Sequence, residues 1–456
     1  GAHYWSLAHT KYGAGYPAHF PRIGLGQNRD WMRQLNQKLH QFDSVVVGHF
    51  NIEFLVGDPE SDEGPRGFFK WYRKLWDEQL LGPKPVDDPL DLLEKNADAS
   101  PIRNNSYSIG GMKEYWACLN NPHWRAVLKA WVRHGISHGL DGFVINYFYR
   151  HNCLCDHCQS AFRDYLNDRF GAAELKNQFG ITDLPTHKFN EIGSWHDPAN
   201  STLFKREQLR FSQMATKDCF DEVFVGYGRS LKPGLIVGQW NHLGSFGQIN
   251  GDERCLLPAG LWAKNEDYLW YSTGGSANYT DLKNNDLGEG TLQARYIRGA
   301  SGDKPYTLGK YESTRTRAAI AELAANGGVP MGFYTRFTDP GARKVITQYY
   351  QFIQRHDAIY RRNRSHAEAV LLFPRKSVHA GDVGPVEAFR QTGRALLDRH
   401  VLFDILPDDL PVADRLSSYS KVYKAGDGAQ EGQAKFSGPS TVRVSASRPT
   451  TGDALH

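Results

Sequence analysis

The sequence predicts a (β/α)8 barrel carrying a small α/β appendage, and three observations lead there. Apolar β-type runs alternate with amphipathic stretches that close on Gly or Pro. Eight such runs fit within residues 1–364, inside the size range of that fold. Each run ends on polar residues, as barrel strands do where they meet the reacting groups.

The series opens near HYWSLAH (His3–His9) and continues with SVVVGHFNIEF (44–54). A weakly marked strand is expected near YSIGGMKEYWA (Tyr107–Ala117). GFVINYFY (142–149), LIVGQWNH (235–242), YLWYS (268–272), PYTLGKYE (305–312) and VPMGFYTRF (329–337) complete it. Helices are expected between them. NPHWRAVLKAWVRHGISHGL opens on Asn-Pro, a helix-start signal, and CQSAFRDYLNDRFG closes on Gly171. Residues 56–112, with Pro83, Pro85 and Pro89 and many charges, predict a long loop over the strand ends. After Arg364 the run AEAVLLF, the amphipathic VEAFRQTGRALLDRH and the run VLFDIL predict a small α/β segment over 365–424. Residues 425–456 form a Gly/Ser-rich tail ending on the strand-like STVRVSAS, for which no partner strand is expected.

Composition excludes several classes. Lys and Arg number 54 against 50 Asp and Glu, a net charge of +4, without the dense basic stripe of a nucleic-acid binder. The knot Arg361, Arg362 and Arg364 reads as a solvated helix C-terminus. No run approaches the roughly 18 apolar residues of a membrane helix, so no membrane association is expected. GAHYW does not read as a signal peptide, and a secreted or periplasmic location is expected only from the kind of substrate. No organic cofactor is implied, and a homo-oligomer is compatible with the sequence.

The rule that barrel chemistry sits where strands end selects the candidates: His9, His49, Asn51 and Glu53; Asn146 to Arg150; Trp240, Asn241 and His242; Lys310 and Glu312; Tyr334, Arg336 and Asp339. Trp5, Trp240, Tyr271 and Tyr334 offer aromatic faces at the strand ends, each equally readable as core. Arg150, Arg336, Lys310, His49 and His242 would line the pocket with positive charge. Asp141 and Asp267 precede their strands and belong to the stabilising end.

Three of six cysteines fall in HNCLCDHCQSAF, at Cys153, Cys155 and Cys158. The Cys153–Cys155 spacing is too short for an easy disulfide, and three soft ligands ask for a fourth around a tetrahedral structural zinc. Cys118 in YWACLNNPHWR suits best; His157 or His151 are substitutes, and Cys219 and Cys255 read as ordinary cysteines. Four thiolates close the shell, so this zinc would be structural rather than catalytic.

These residues carry a resemblance. CLNNPHWR, a strand about twenty residues later, and CLCDHCQSAFRDYLNDRFG resemble the β-galactosidases of glycoside hydrolase family 42 and the hydrolases around them. The match is specific for residues 118–171 and diffuse elsewhere, and the segment after 364 is similar to the start of that family's flavodoxin-like second domain, here short and incomplete. The resemblance implies a zinc on the four cysteines and a retaining glycosidase with two carboxylates about 5 Å apart. It implies Glu312 in LGKYEST as nucleophile. The family's Asn-Glu after strand four is here Asn146 followed by Tyr147, so the acid/base must come from elsewhere: Glu53 first, with Asp252, Glu253 and Asp339 as further carboxylates. A β-galactoside is the implied substrate, a sulfated or otherwise anionic fucan or galactan the alternative, and a non-catalytic carbohydrate-binding barrel the competing class. An aldolase or metal-dependent hydrolase lacks a clear catalytic Lys or open metal site.

Overall fold

A computed structural model describes residues 2–4, 26–109, 111–146, 152–191, 201–242, 264–273, 288–310, 316–329, 340–361, 363–410, 413–428 and 447–449. The chain divides into two compact units, Gly1–Trp195 with Ser201–Gln239, and His196–Asn200 with Trp240–His456.

β1 (Ala2–Tyr4), β2 (Val47–Asn51), β6 (Gly142–Asn146) and β7 (Ile236–His242), which lie in the first unit up to Gln239, run side by side in the order β1-β2-β6-β7. The pairings of β1 with β2 and of β2 with β6 are parallel, with Tyr4 opposite His49 and Asn51 opposite Asn146. Parallel strands covered on both faces read as continuous apolar runs, which is why SVVVGHF carries no alternation. Phe50 and Phe143 turn one face of this sheet toward Phe224, with ring centroids 5.0 to 6.1 Å apart. Helices α1 (Gly26–His40), α4 (Pro122–Ser137) and α7 (Leu203–Phe220) follow β1, precede β6 and precede β7. The Asn-Pro signal works as expected: Asn121 caps α4 by accepting from the His123 N–H at 2.9 Å, with Pro122 in the first turn.

Asp141 stitches the amino ends of these strands. Its carboxylate accepts from the Val46 N–H (2.9 Å), from Lys232 Nζ (2.8 Å) and pairs with His40 Nε2 (2.8 Å). Burial alone would raise its carboxyl, but the bonds from Lys232, Val46 and His40 outweigh this and hold it below the usual range. A carboxyl depressed on folding adds stability above its unfolded pKa of about 3.9 and loses it as pH falls through the folded value. Asp141→Asn should therefore cost roughly 1–2 kcal/mol near neutral pH, with the difference from the parent shrinking below about pH 4. Urea titrations at pH 7 and pH 3 check it, and an equal difference at both pH values would contradict it.

Gly142, opening β6, has no room for a side chain, because a Cβ there would stand 2.0 Å from the Ile236 carbonyl oxygen. Gly142→Ala must push β6 and β7 apart, an overpacking cost of about 3 kcal/mol. The urea midpoint measures this, and an unchanged midpoint would refute the close approach.

Residues 56–112 differ from the expected loop. β3 (Phe54–Asp58), β4 (Arg103–Ile109) and β5 (Met112–Trp116) form an antiparallel sheet in the order β3-β5-β4. The stretch near YSIGGMKEYWA is therefore the β4–β5 hairpin of this sheet and not a barrel strand, and SVVVGHFNIEF divides into two strands at Ile52–Glu53. Some of the residues that suggested a loop start helical turns: Asp77, Asp88 and Pro89. Asp77 and Asp88 accept main-chain N–H groups at the starts of α3 (Glu78–Leu81) and of the 3-10 turn Pro89–Leu92. The insertion has its own core, since Phe68, Trp71 and Tyr72 of α2 (Gly67–Lys74) pack among themselves and on Trp124 and Trp131 of α4. α5 (Asp156–Arg169) ends before Gly171, which starts α6 (Ala172–Phe179) instead of closing α5.

In the second unit, β8 (Tyr268–Thr273) and β9 (Tyr306–Lys310) run parallel, Thr273 opposite Lys310, joined through the helix Glu289–Ser301. After the helix Thr316–Ala325 the chain returns to β9, where the Val329 N–H donates to the Tyr306 carbonyl at 2.8 Å. Downstream, β11 (Ala369–Phe373) lies between β12 (Phe403–Pro407) and β13 (Lys421–Tyr423), all parallel, with the helix Pro385–Asp398 connecting β11 to β12. This sheet rests on the helix Glu289–Ser301: a Cβ on Gly299 would stand 1.7 Å from the Ile405 carbonyl oxygen. Arg295 donates to the Phe403 carbonyl (3.0 Å) with its guanidinium 4.5 Å from the Phe403 ring. Burial pulls this guanidinium down to about 10. The tail does find a partner: β14 (Ser447–Pro449) pairs antiparallel with β10 (Asn363–Ser365), a pairing 84 residues apart by position (447 − 363) that local pattern cannot reveal.

Candidate active site and metal centre

The thiol centre is the best-defined site among the described residues. Cys118 lies two residues beyond β5 and just ahead of the α4 cap. Cys153 and Cys155 lie in the segment that follows β6, with Cys155 at the N-cap of α5 and Cys158 in its first turn. Their four sulfurs all fall within 4.8 Å of one another, with Cys118 Sγ 3.6 Å from Cys155 Sγ and 3.4 Å from Cys158 Sγ. His157, a substitute ligand in the sequence reading, is exposed on α5, and His151 and Cys255 lie outside the described residues. Cys219 is buried, its thiol pushed up to about 12 by desolvation.

Three buried thiols and the half-buried Cys155 at this spacing cannot all ionise without a cation between them. Burial pushes the Cys118 thiol well up, while hydrogen bonds from the other three cysteines pull Cys155 far down. Donors for thiolates are in place: Asn120 Nδ2 stands 3.3 Å from Cys158 Sγ, and the Lys95 and Cys155 N–H groups each stand 3.4 Å from Cys153 Sγ. The α5 N-terminus adds its positive end to the same spot. The four cysteines can hold a metal ion. Asn120 and Lys95 escaped the sequence reading; Asn120 was legible as the polar neighbour in CLNNP, whereas Lys95 comes from the insertion and is brought in by main-chain bonds to Leu154 (2.8 Å) and to Cys153 Sγ.

The strand-end candidates take the following places. His49 lies on β2, buried, opposite Tyr4 and Val144. Asn51 and Asn146 end β2 and β6 opposite each other. Trp240, Asn241 and His242 are the last three residues of β7, and Lys310 is the last of β9. Glu53 sits in the corner between β2 and β3, 1% exposed, its carbonyl accepting the Ala117 N–H at 2.7 Å. Its charge helps raise the Cys219 thiol of α7, so its carboxylate lies within electrostatic reach of that helix. Glu312, Tyr147, Arg150, Tyr334, Arg336, Asp252, Glu253, Asp339, His9 and Trp5 lie outside the described residues.

No family model matches this chain. The chain is 23% identical over 207 residues to the β-galactosidase YesZ of Bacillus subtilis, covering 43% of this chain and 30% of that protein. It is 24% identical over 265 residues to the β-galactosidase BgaA of a Thermus species, covering 52% and 38%. Among solved structures, a cold-adapted β-galactosidase from Rahnella sp. R3 superposes with a TM-score of 0.60 at 16% identity, covering 92% of this chain and 61% of that one. A β-galactosidase from Bacillus circulans sp. alkalophilus gives 0.60 at 14%, covering 87% and 59%. The chain thus spans about a third of the length of the curated relatives and about three fifths of the solved ones. The resemblance read from residues 118–171 is borne out: the likeness is to β-galactosidases. The solved structures matched are glycoside hydrolases with TIM-barrel folds, and the described residues of this chain form partial parallel sheets.

Proposed function

We propose that this chain is a glycoside hydrolase, β-galactosidase-like, whose parallel strands complete a (β/α)8 barrel and whose nucleophile is Glu312 in a retaining mechanism. The observation that carries the reading is positional. β9 runs parallel to β8 and ends at Lys310, two residues before Glu312, and a helix begins at Thr316. In a (β/α)8 fold that is the catalytic end of a strand. On this reading the Glu312 carboxylate attacks the anomeric carbon while an acid protonates the departing oxygen. The same group then takes a proton from the water that releases the sugar.

Glu53 is proposed as that acid/base, since it is a carboxyl residue two positions beyond the end of β2 and is almost fully buried. In the first step the acid is needed only for poor leaving groups, whereas in the second step the base is needed for every substrate. Glu53→Gln should therefore lower kcat/KM, which reports the first step, by roughly 10²- to 10⁴-fold for an alkyl or sugar glycoside while largely sparing kcat/KM for 2,4-dinitrophenyl galactoside, whose kcat falls with the second step. Equal losses on both would remove Glu53 from the role. His49, Asn146, Arg150, Trp240, Asn241, His242, Lys310, Tyr334 and Arg336 are proposed to line the sugar pocket. The basic members favour an anionic galactan or fucan as the alternative substrate. Proton NMR of the first-formed anomer on a panel of neutral and sulfated galactosides tests both substrate and stereochemistry, and an inverted product would overturn the retaining step. A second reading, a non-catalytic carbohydrate binder, rests on Tyr147 standing after Asn146.

The four cysteines are proposed to bind structural zinc. Zn–S bonds near 2.3 Å place tetrahedral sulfurs about 3.8 Å apart, close to the spacing of Cys118 from Cys155 and Cys158. The ion would hold the segment after β6 and leave no open position for substrate.

A further inference from the structure

The basic knot of the sequence is more than a helix end. Arg361 follows the helical turn Asp357–Tyr360, 68% exposed, and pairs with Asp357 at 2.7 Å. Arg362 lies outside the described residues. Arg364 is the middle residue of β10, where the antiparallel register sets Arg448 of β14 directly opposite it. Successive side chains of a strand point to opposite faces. Ser365 turns inward and donates Oγ to Asp404 Oδ1 (2.6 Å), so Arg364 turns outward, and it is exposed. Three nearby carboxylates are committed elsewhere: Asp357 to Arg361, Asp303 to Arg298 (2.5 Å), and Asp404 to Ser365 and Tyr419. Arg364 pairs with no carboxylate among the described residues, the exposed Glu368 included.

We infer that the outward face of the β10–β14 ribbon, with Arg361 beside it, is an accessory site for the sulfate esters or carboxylates of a polysaccharide. It uses none of the strand-end residues. Like charges at directly opposed positions destabilise a ribbon, and an oxyanion bound at those positions reverses that cost. Opposed positions lie about 5 Å apart between Cα atoms, and Arg361 is at most about 11 Å along the chain from Arg364. Guanidinium groups gathered over that span suit an oxyanion, to which each can donate two parallel N–H bonds. The cluster is local. With 54 Lys and Arg against 50 Asp and Glu, the chain has no basic stripe to follow a nucleic-acid backbone, whereas a glycan with widely spaced anionic groups needs only a cluster of this kind. The inference rests on the glycosidase reading and names a feature of its substrate: anionic groups on the polymer away from the unit being cleaved.

The test is affinity electrophoresis through κ-carrageenan (a sulfated galactan), polygalacturonate and a neutral β-1,4-galactan. It compares the parent, Arg361→Gln, and Arg364→Gln combined with Arg448→Gln. Circular dichroism checks the fold, and p-nitrophenyl β-D-galactopyranoside reports turnover. The expected result is that an anionic polymer retains the parent and the neutral galactan does not, with affinity about tenfold lower in the double variant and turnover of the small galactoside unchanged. Which anionic polymer retains the parent separates sulfate from carboxylate. Retention should fade between about 50 and 500 mM salt, because exposed charges are screened. Arg361→Gln should weaken retention in the same direction, which keeps the test valid should the double variant fail to fold. Equal retention of the parent and the variants, in a parent that cleaves the galactoside, overturns the site alone. Double-stranded DNA bound as tightly as κ-carrageenan at the same salt overturns its assignment to a glycan. A parent that cleaves no galactoside and is retained by no glycan overturns the glycosidase reading and the site together.

Discussion

Glu312→Gln should abolish turnover, lowering kcat by roughly 10⁴-fold or more while glycan binding survives, as expected when a nucleophile is replaced by its isosteric amide. The amide keeps size and hydrogen bonding but cannot form the covalent bond to the anomeric carbon, so ground-state contacts persist while the transition state is lost. The split between KM and kcat is therefore the informative quantity. A variant as active as the parent would remove Glu312 from the mechanism. A parent inactive across neutral and anionic galactosides that still binds one of them would favour the carbohydrate-binding reading. Glu53→Gln separates the two carboxylates, because loss of an acid depends on the leaving group whereas loss of a nucleophile does not.

Cys158→Ser should release the bound metal and lower the melting temperature by roughly 5–10 °C, equivalent to about 3 kcal/mol in a unit of this size. Cys158 stands 3.4 Å from Cys118 and receives the Asn120 amide, so its loss opens the cluster on two sides. Three linkages depend on it: the start of α4, the segment after β6, and, through Lys95, the antiparallel insertion. A chelator should reproduce the shift in the parent and do nothing further to the variant. Metal analysis by mass spectrometry and a melting curve decide it, and unchanged content and melting in Cys158→Ser and Cys153→Ser would sink the clip. Since a four-thiolate ion has no open position, activity should fall only as far as the wall beside β6 loosens.

The order of elements was largely legible along the chain. Parallel strands announced themselves as short apolar runs ending in polar residues, and α4 by its Asn-Pro start, because such signals act over a few residues. Cys153, Cys155 and Cys158 were likewise readable as a ligand set from spacing alone. The insertion was misread because its strands β3 and β5 are 58 residues apart by position (112 − 54) and because Asp77, Asp88 and Pro89, which start helical turns, resemble loop chemistry until the pairing is seen.

What the sequence by itself determined is therefore the local content: where strands and helices start, which strand ends carry polar groups, and that three thiols need a fourth partner. Only the tertiary structure decided which cysteine completes the set, which backbone and amide groups donate to it, that Ser447–Pro449 pairs with Asn363–Ser365, and that Gly142 and Gly299 must stay without side chains. The physical reason is range. Periodicity and capping are settled by neighbours in the chain, whereas ligand closure and strand pairing depend on groups tens of residues apart that meet only once the core has formed.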